Sequence, residues 1–172
     1  TFALDKYFDK KITTAVNNSY EIAKNYIDEK RNKIESDIVL VSYDLNKNIR
    51  IVKNNVNYLQ NFLDTQRMLR GLDQVHIIDK NRNALFSSTE TGYMPVEQRA
   101  ISMVLNDDKP LKIINAYENK SAAIIKLSAF DNNFLYIVKF LDQEISNYLK
   151  QSEEAINFYY TVDDQRTGIK FS

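Results

Sequence analysis

Apolar side chains recur at spacings of three and four between residues 34 and 63, with one apolar position missing near Asn48. This spacing is typical of one buried stripe on a helix, and no glycine or proline precedes Gly71 to interrupt it. The stripe packs either on the core of its own domain or against a second chain in a coiled coil. It consists of Ile34, Ile38, Val41, Leu45, Val52, Val56, Leu59 and Leu63.

A single helix over residues 1–70 would be about 100 Å long, which exceeds the diameter of a domain of this size. The run from Asn46 to Asn57 is rich in Asn and β-branched residues, whose helix propensity is low. We therefore expect a bend in this run. It would separate a long helix over residues 1–50 from a second helix over residues 51–70, with Gly71 as the C-cap.

Five short β-type segments follow, and most are joined by polar turns that suit antiparallel hairpins. A helix over residues 95–106 separates the first two segments from the last three, with Pro95 in its first turn. Its apolar face would hold Val96, Ala100, Met103 and Val104. The five segments are Val75 to Asp79, Ala84 to Ser88, Leu111 to Tyr117, Ala122 to Phe130 and Phe134 to Leu141.

A last helix is predicted over residues 143–160, capped by Asp142, before a polar tail over residues 161–172. Its stripe would be Ile145, Leu149, Ile156 and Tyr160. The order of elements predicts one α+β domain over residues 1–172, with a five-stranded antiparallel sheet over residues 75–141. The connecting segments would cover the inner face of the sheet, and the first helix would cover its back.

Composition excludes several kinds of chemistry. The formal net charge is zero, which gives no general attraction for nucleic acid. One histidine and no cysteine leave no catalytic residue and no metal site to assign, and the three glycines are too far apart for a phosphate-binding loop. No apolar run reaches the roughly 18 residues of a membrane span. Because the sequence opens on Thr1, we expect it to be part of a longer protein that includes such spans.

Several segments carry a resemblance to a known family. They are DIVLVSYDLN from Asp37, TQRMLRGL from Thr65, VHIIDKNRNALF from Val75, AFDNNFLYIVKFLD from Ala129 and the end of the chain, EEAINFYYTVDDQRTGIKFS. Together with the order of elements, they resemble the PAS-like sensor domain, of the PDC or single Cache type, of NtrY-like nitrogen-regulation sensor histidine kinases. The chain departs from that family at Asn81-Arg82-Asn83, where Asp-Gly is common. It also lacks the Trp-containing amino-acid-binding motif of some Cache receptors.

The resemblance implies a sensor domain in the periplasmic part of an inner-membrane protein, between two transmembrane helices. The parent would be a homodimeric kinase acting on a cytoplasmic response regulator, with ATP and Mg²⁺ bound only by its kinase domain; this segment would hold no cofactor. The stimulus would be an unknown small molecule or a periplasmic partner. Two alternatives stay open: the same module on a chemoreceptor or cyclase, and a helical protein-interaction domain without a small ligand.

In a domain of this type, the ligand pocket would lie between the last three strands and the segment from Ser87 to Pro95 with the helix after it. Polar residues near that volume could bind a carboxylate or phosphate-like group, or could be ordinary surface residues. They are Arg67, Arg70, Tyr93, Lys126 and Tyr136. His76 lies on a predicted strand and not in the His-Glu pair of a phosphorylated helix. It is either a structural residue, a ligand contact or a pH sensor.

Overall fold

The computed structural model describes residues 19–151 of the 172-residue chain. Three helices come first: α1 over Ser19–Lys47, α2 over Ile49–Lys53 and α3 over Val56–Arg70. Five strands follow, β1 over Gln74–Asp79, β2 over Ala84–Thr89, β3 over Leu111–Asn115, β4 over Lys120–Lys126 and β5 over Asn133–Phe140. Helix α4 spans Gln98–Val104 between β2 and β3, and helix α5 spans Gln143–Gln151. Across residues 19–151, no helix combines the length and the apolar character of a membrane span.

Asparagines end and restart the helical chain within the run where the sequence predicts a bend. The Asn48 side chain donates to the Asp44 carbonyl at 2.9 Å, at the point where α1 ends. Asn55 is the N-cap of α3, and its Oδ1 accepts from the Tyr58 amide at 2.9 Å. Asn side chains compete for backbone groups in this way, so they favour helix ends over helix interiors. The chain thus turns back after α1, and α3 lies beside the sheet.

Gly71 ends α3 in the left-handed conformation, with φ of 64°. Its amide and that of Leu72 donate to the Met68 and Arg67 carbonyls, as in a Schellman-type cap. A Cβ at Gly71 would meet nothing within 4 Å, so backbone strain alone opposes a side chain there.

Replacing Gly71 by Ala is expected to lower the free energy of unfolding by about 1 kcal/mol because alanine disfavours positive φ. Gly92→Ala is the matched control, since a Cβ there also meets nothing within 4 Å and no positive φ applies. Urea denaturation of both variants measures the difference. Equal stability of the two variants would contradict the role of Gly71 as a left-handed cap.

The five strands form one antiparallel sheet, which confirms the predicted α+β fold. The strand order is β2-β1-β5-β4-β3, so β5 lies in the centre. Strand β4 is shorter than the predicted Ala122 to Phe130 and ends at Lys126. Residues 127–132 instead make the turn into β5, in which the Leu127 amide donates to the Asn133 carbonyl and Asn132 has φ of 53°. Asn tolerates this left-handed conformation better than most residues do.

Alternate residues of the strands contribute to two cores, one on each face of the sheet. On β5, Leu135 and Ile137 belong to the core that includes α1 and α3, whereas Phe134, Tyr136 and Val138 belong to the core that includes α4. This is the period-two pattern of a sheet that is covered on both faces. The two cores give the sheet a helical back and, opposite it, a face covered by α4 and the segment before it.

The apolar stripe of α1 belongs to the protein's own core. Its members Ile34, Ile38, Val41 and Leu45 are all buried against the sheet and α3, which decides between the two predicted packings. Val56 is an exception: it was expected in the stripe, but it is 61% exposed. It begins α3 directly after the bend, so the phase of the α1 stripe does not carry over to it.

Helix α4 begins at Gln98 and not at Pro95, but its buried face holds the predicted Ala100 and Val104. Asp142 caps α5, since its Oδ1 accepts from the Glu144 and Ile145 amides at 2.9 and 3.3 Å. Leu149 is buried, whereas the predicted Ile156 and Tyr160 lie outside the described residues.

The start of α1 and helix α5 meet at one end of the domain. Ala23 and Ile27 of α1 share a small apolar cluster with Leu141 and Leu149. The Tyr26 hydroxyl oxygen accepts from the Asp142 amide at 2.6 Å, directly before α5. The first and last described helices are therefore in contact.

Candidate ligand-binding cleft

A cleft of about 340 Å³ opens on the sheet face that is opposite α1. Its floor is formed by the start of β1, the start of β4 and the end of β5, and its wall is the loop that follows β2. The volume lies at the lower end of the range for small-molecule pockets. The lining residues are Gln74, Thr91, Gly92, Tyr93, Met94, Glu118, Lys120, Tyr136, Val138 and Phe140.

A buried ammonium group lies on the floor of this cleft. Lys120 is only 8% exposed, and its Nζ donates to the Tyr136 hydroxyl oxygen at 2.9 Å. The Glu118 carboxylate contacts the same Nζ at 2.7 Å. Burial lowers the pKa of Lys120, but Tyr136 and Glu118 outweigh it and hold that pKa above its ordinary value. Lys120 is therefore a buried cation in the cleft floor, and Glu118 is its counter-ion.

Tyr136 stays neutral beside this charge. Burial raises its pKa, and the neighbouring Lys120 lowers it by less. Its hydroxyl oxygen accepts the Lys120 bond, so its own proton remains for another acceptor. No acceptor for that proton occurs within residues 19–151. Lys120 and Tyr136 thus present two neighbouring donors to the cleft.

His76 supports the cleft from beneath through Gln74. The Gln74 amide donates to Thr91 Oγ1 at 2.6 Å and to the Gly92 carbonyl at 3.2 Å. The Gln74 amide oxygen then faces His76 Nε2 at 2.8 Å, which requires the proton on Nε2. Nδ1 accepts from the Ser87 hydroxyl at 2.7 Å. The neutral ring therefore ties the loop after β2 to the sheet.

Burial lowers the pKa of His76 to about 4. The ring is fully buried and lies 4.8 Å from the Tyr93 ring and 6.0 Å from the Tyr136 ring, centroid to centroid. Of the three predicted roles for His76, the structural one is the one that this geometry favours. The lowered pKa keeps the ring neutral near neutral pH, which disfavours the role of a pH sensor there.

Tyr93 fixes the outer part of the same loop. Its hydroxyl donates to the Arg82 carbonyl in the β1–β2 turn at 2.6 Å, and burial raises its pKa to about 12. Arg82 has φ of 70° and donates from Nη1 to the Val96 carbonyl at 3.1 Å. The turn and the loop thus hold each other, and the Tyr93 ring remains as a wall of the cleft.

The structure brings together three of the six predicted site residues, namely His76, Tyr93 and Tyr136. It does not bring in the arginines, because α3 packs on the opposite face of the sheet. Arg67 donates from Nε to Ser88 Oγ at 2.8 Å, and Arg70 donates from Nε to Gln66 at 2.8 Å. The expectation that both arginines lie beside the pocket is therefore wrong.

Lys126 also lies away from the cleft, although it is on the same face of β4 as Ile124. It lies six residues from Lys120, which is about 20 Å along a strand. The expectation that Lys126 lies near the same volume is wrong for this reason.

Arg70 instead lines a second, smaller cleft of about 190 Å³ between α1 and the end of α3. There it approaches the buried carboxylate of Asp37 at 3.4 Å, and Lys33 contacts the same carboxylate at 2.6 Å. Lys30 and Lys139 also line this cleft. The basic groups offset the burial of Asp37 and connect α1 to the end of α3.

Sequence reasoning missed the polar floor of the main cleft, which is Gln74, Glu118 and Lys120. The sequence predicts Glu118 and Lys120 in a short polar turn between two strands. The available signal was alternation: Lys120, Ala122 and Ile124 are spaced by two and share one face of β4. Within the described part of the chain, no group of acidic or histidine side chains could hold a metal ion.

The family described as the NtrY N-terminal region matches residues 2–170, nearly the whole sequence. The chain belongs to this family. The nitrogen regulation protein NtrY of Azorhizobium caulinodans is 23% identical over 97% of the chain, which spans 22% of that protein. An NtrY-like sensor histidine kinase of Rickettsia conorii is 22% identical over 99% of the chain, which spans 29% of that protein. The NtrY N-terminal region thus occupies less than a third of these relatives.

Solved sensor domains share the fold of this NtrY N-terminal region. The sensor domain of the Vibrio cholerae histidine kinase DctB matches 84% of the chain and 61% of its own, with a TM-score of 0.52 and 9% identity. The ligand-binding domain of the Campylobacter jejuni chemoreceptor Tlp3, solved with 4-methylisoleucine, matches 81% of the chain and 63% of its own, with a TM-score of 0.52 and 12% identity. These similarities show the fold, which is of the PDC or Cache sensor type.

Proposed function

We propose that the chain is the extracytoplasmic sensing domain of a membrane-bound sensor histidine kinase of the NtrY type, with the cleft as its ligand site. The parent is a homodimer in the inner membrane that phosphorylates a cytoplasmic response regulator. Its ATP and Mg²⁺ bind a kinase domain beyond this segment. Family membership and the length of the relatives support this assignment.

The observation that carries the proposal is the position of the cleft on strands that also contact α1. Tyr136 lines the cleft, and its neighbours on β5, Leu135 and Ile137, pack in the core that includes α1. A ligand that changes the position of Tyr136 therefore acts on residues one position away that contact the long helix. Packed cores pass such small shifts on because they deform little.

Helices α1 and α5 are the proposed output. They are the first and last described helices, and they meet through the cluster around Ala23 and Leu149 and through the Tyr26–Asp142 hydrogen bond. A relative shift on the order of 1–2 Å between them is the signal we propose. A ligand must prefer one arrangement by about 10⁴-fold to move the equilibrium from 1:99 to 99:1.

Two observations favour this function over the two alternatives that the sequence leaves open. The match to the NtrY N-terminal region favours a kinase over a chemoreceptor or a cyclase as the parent. An open cleft with a buried charge on its floor favours a small ligand over a protein-interaction domain without one.

A thermal-shift screen of the chain tests for a small ligand. The panel contains amino acids, small mono- and dicarboxylates, amines, nitrogen compounds and divalent cations. We expect at least one member, at 100 times its dissociation constant, to raise the melting temperature by about 5 °C or more.

The control compares two lysines on one face of β4. Lys120→Met removes the charge on the cleft floor, whereas Lys126→Met removes a charge at the far end of the strand. The shift should disappear in the first variant and persist in the second. The absence of any shift across the whole panel would overturn the ligand-sensing function.

A further inference from the structure

We propose that the cleft, taken as the ligand site of the proposed function, selects a small monocarboxylate, and that the Glu118 side chain occupies the carboxylate position when the ligand is absent. Glu118 is thus a resident competitor that sets the concentration at which the sensor responds. The inference depends on the proposed function, but it has a separate test.

The cleft floor is arranged for one carboxylate. Lys120 Nζ and the Tyr136 hydroxyl lie 2.9 Å apart, and the Tyr136 proton has no acceptor among residues 19–151. A carboxylate has two oxygens, so one can accept from Lys120 and the other from Tyr136. Lys120 is the one cation among the described lining residues, so a single negative charge neutralises the floor. A dianion would keep one charge in the cleft without a partner.

Glu118 already shows that the floor accepts a carboxylate, since it contacts Lys120 Nζ at 2.7 Å. Its side chain is 37% exposed, and it lies in the turn between β3 and β4. Water can therefore solvate Glu118 when it leaves, whereas Lys120 is buried and must keep a partner. An incoming carboxylate exchanges one charged partner of Lys120 for another.

The other residues that line the cleft indicate the chemistry of the rest of the ligand. Met94, Val138 and Phe140 present apolar side chains beside the polar floor. A volume of about 340 Å³ accommodates a short carbon chain behind the carboxylate. The expected ligand class is therefore a small aliphatic acid, with or without further polar groups at the open side.

The test is an NMR titration of the chain with 4-methylpentanoate and, as an uncharged match, 4-methylpentanamide. The acid should bind with chemical-shift changes at Lys120 and Tyr136, and the amide should bind at least tenfold more weakly. Glu118→Gln keeps the size of the competitor and removes its charge, so it should tighten binding of the acid about three- to tenfold. Tyr136→Phe should weaken it because one donor is lost.

Glu144→Gln serves as the control for charge alone, since Glu144 is exposed on α5 and does not line the cleft. It should leave the affinity unchanged. Because Glu118 is largely at the surface, its variant is expected to fold, and its melting temperature confirms this before titration.

Three results would overturn the inference. Equal binding of acid and amide would reject the carboxylate class, and unchanged or weaker binding in Glu118→Gln would reject Glu118 as a competitor. If the acid binds neither the native chain nor Glu118→Gln, both the carboxylate class and the role of Glu118 as a competitor are rejected. In each case, a shift with another member of the broad screen would leave the ligand-sensing function in place.

Discussion

Replacing Ile38 by Ala is expected to lower the free energy of unfolding by about 2–5 kcal/mol, the range for removing a large aliphatic side chain from a core. Ile38 lies on α1, is fully buried and belongs to the core shared with α3 and the back of the sheet. The loss has two parts, the lost transfer of the side chain from water and the cavity that remains. Urea denaturation followed by circular dichroism measures it.

The neighbouring Val39 provides the matched control. It is 44% exposed on the same helix, and Val39→Ala should change the free energy of unfolding by no more than about 0.5 kcal/mol. A loss below about 1 kcal/mol for Ile38→Ala would mean that α1 does not pack on the sheet in solution. The proposed route from the cleft to α1 would then have no physical basis.

Acidification is expected to destabilise the domain through His76. Its folded-state pKa of about 4 lies below the value of 6.5 that applies to an exposed histidine, so folding disfavours the charged ring. The stabilisation is present above about pH 6.5 and is lost as the pH falls from about 6.5 to about 4. It amounts to on the order of 3 kcal/mol.

The groups in contact with the His76 ring keep their protonation states between pH 6.5 and pH 4. His76 contacts Gln74, Ser87, Tyr93 and Tyr136, and the two tyrosines have raised pKa values and are neutral throughout this pH range. Lys120, which bonds Tyr136, stays charged throughout the same range because its pKa is raised. The histidine is the group in this contact set that titrates there.

The variant His76→Gln separates this contribution from that of the carboxylates. It removes the titrating ring and keeps a side chain that can both donate and accept hydrogen bonds. Urea denaturation of both proteins between pH 7 and pH 4 should give a steeper loss of stability in the native chain. The same pH dependence in both proteins would contradict a buried neutral histidine.

Much of the main-chain architecture can be predicted from residue types. The Asn-rich run after residue 45 ends α1 because Asn side chains bond to backbone groups, and Gly71 ends α3 because it accepts positive φ. The order of helices and strands follows from apolar spacing of three to four in one part and of two in the other. The end of β4 was misplaced because the apolar residues at 127–130 continue past the point where the strand turns.

The candidate site could be predicted only in part from the sequence, because it depends on which face of the sheet each element covers. Tyr136 and Tyr93 come together at the cleft, whereas Arg67 and Arg70 are separated from it by the thickness of the sheet. The bend after α1 decides this arrangement, since it returns α3 to the helical back of the sheet. No pattern within α3 itself reports which face it will cover.

The sequence by itself determined the α+β class and the antiparallel sheet, because local spacing and turn residues specify these elements, and its match over residues 2–170 determined membership of the NtrY N-terminal region. Only the tertiary structure decided that Lys120, Tyr136 and Glu118 form a charged cleft floor, and that His76 is buried and neutral. Burial and the choice of partner set the charge state of these groups, and both depend on contacts between residues far apart in the chain.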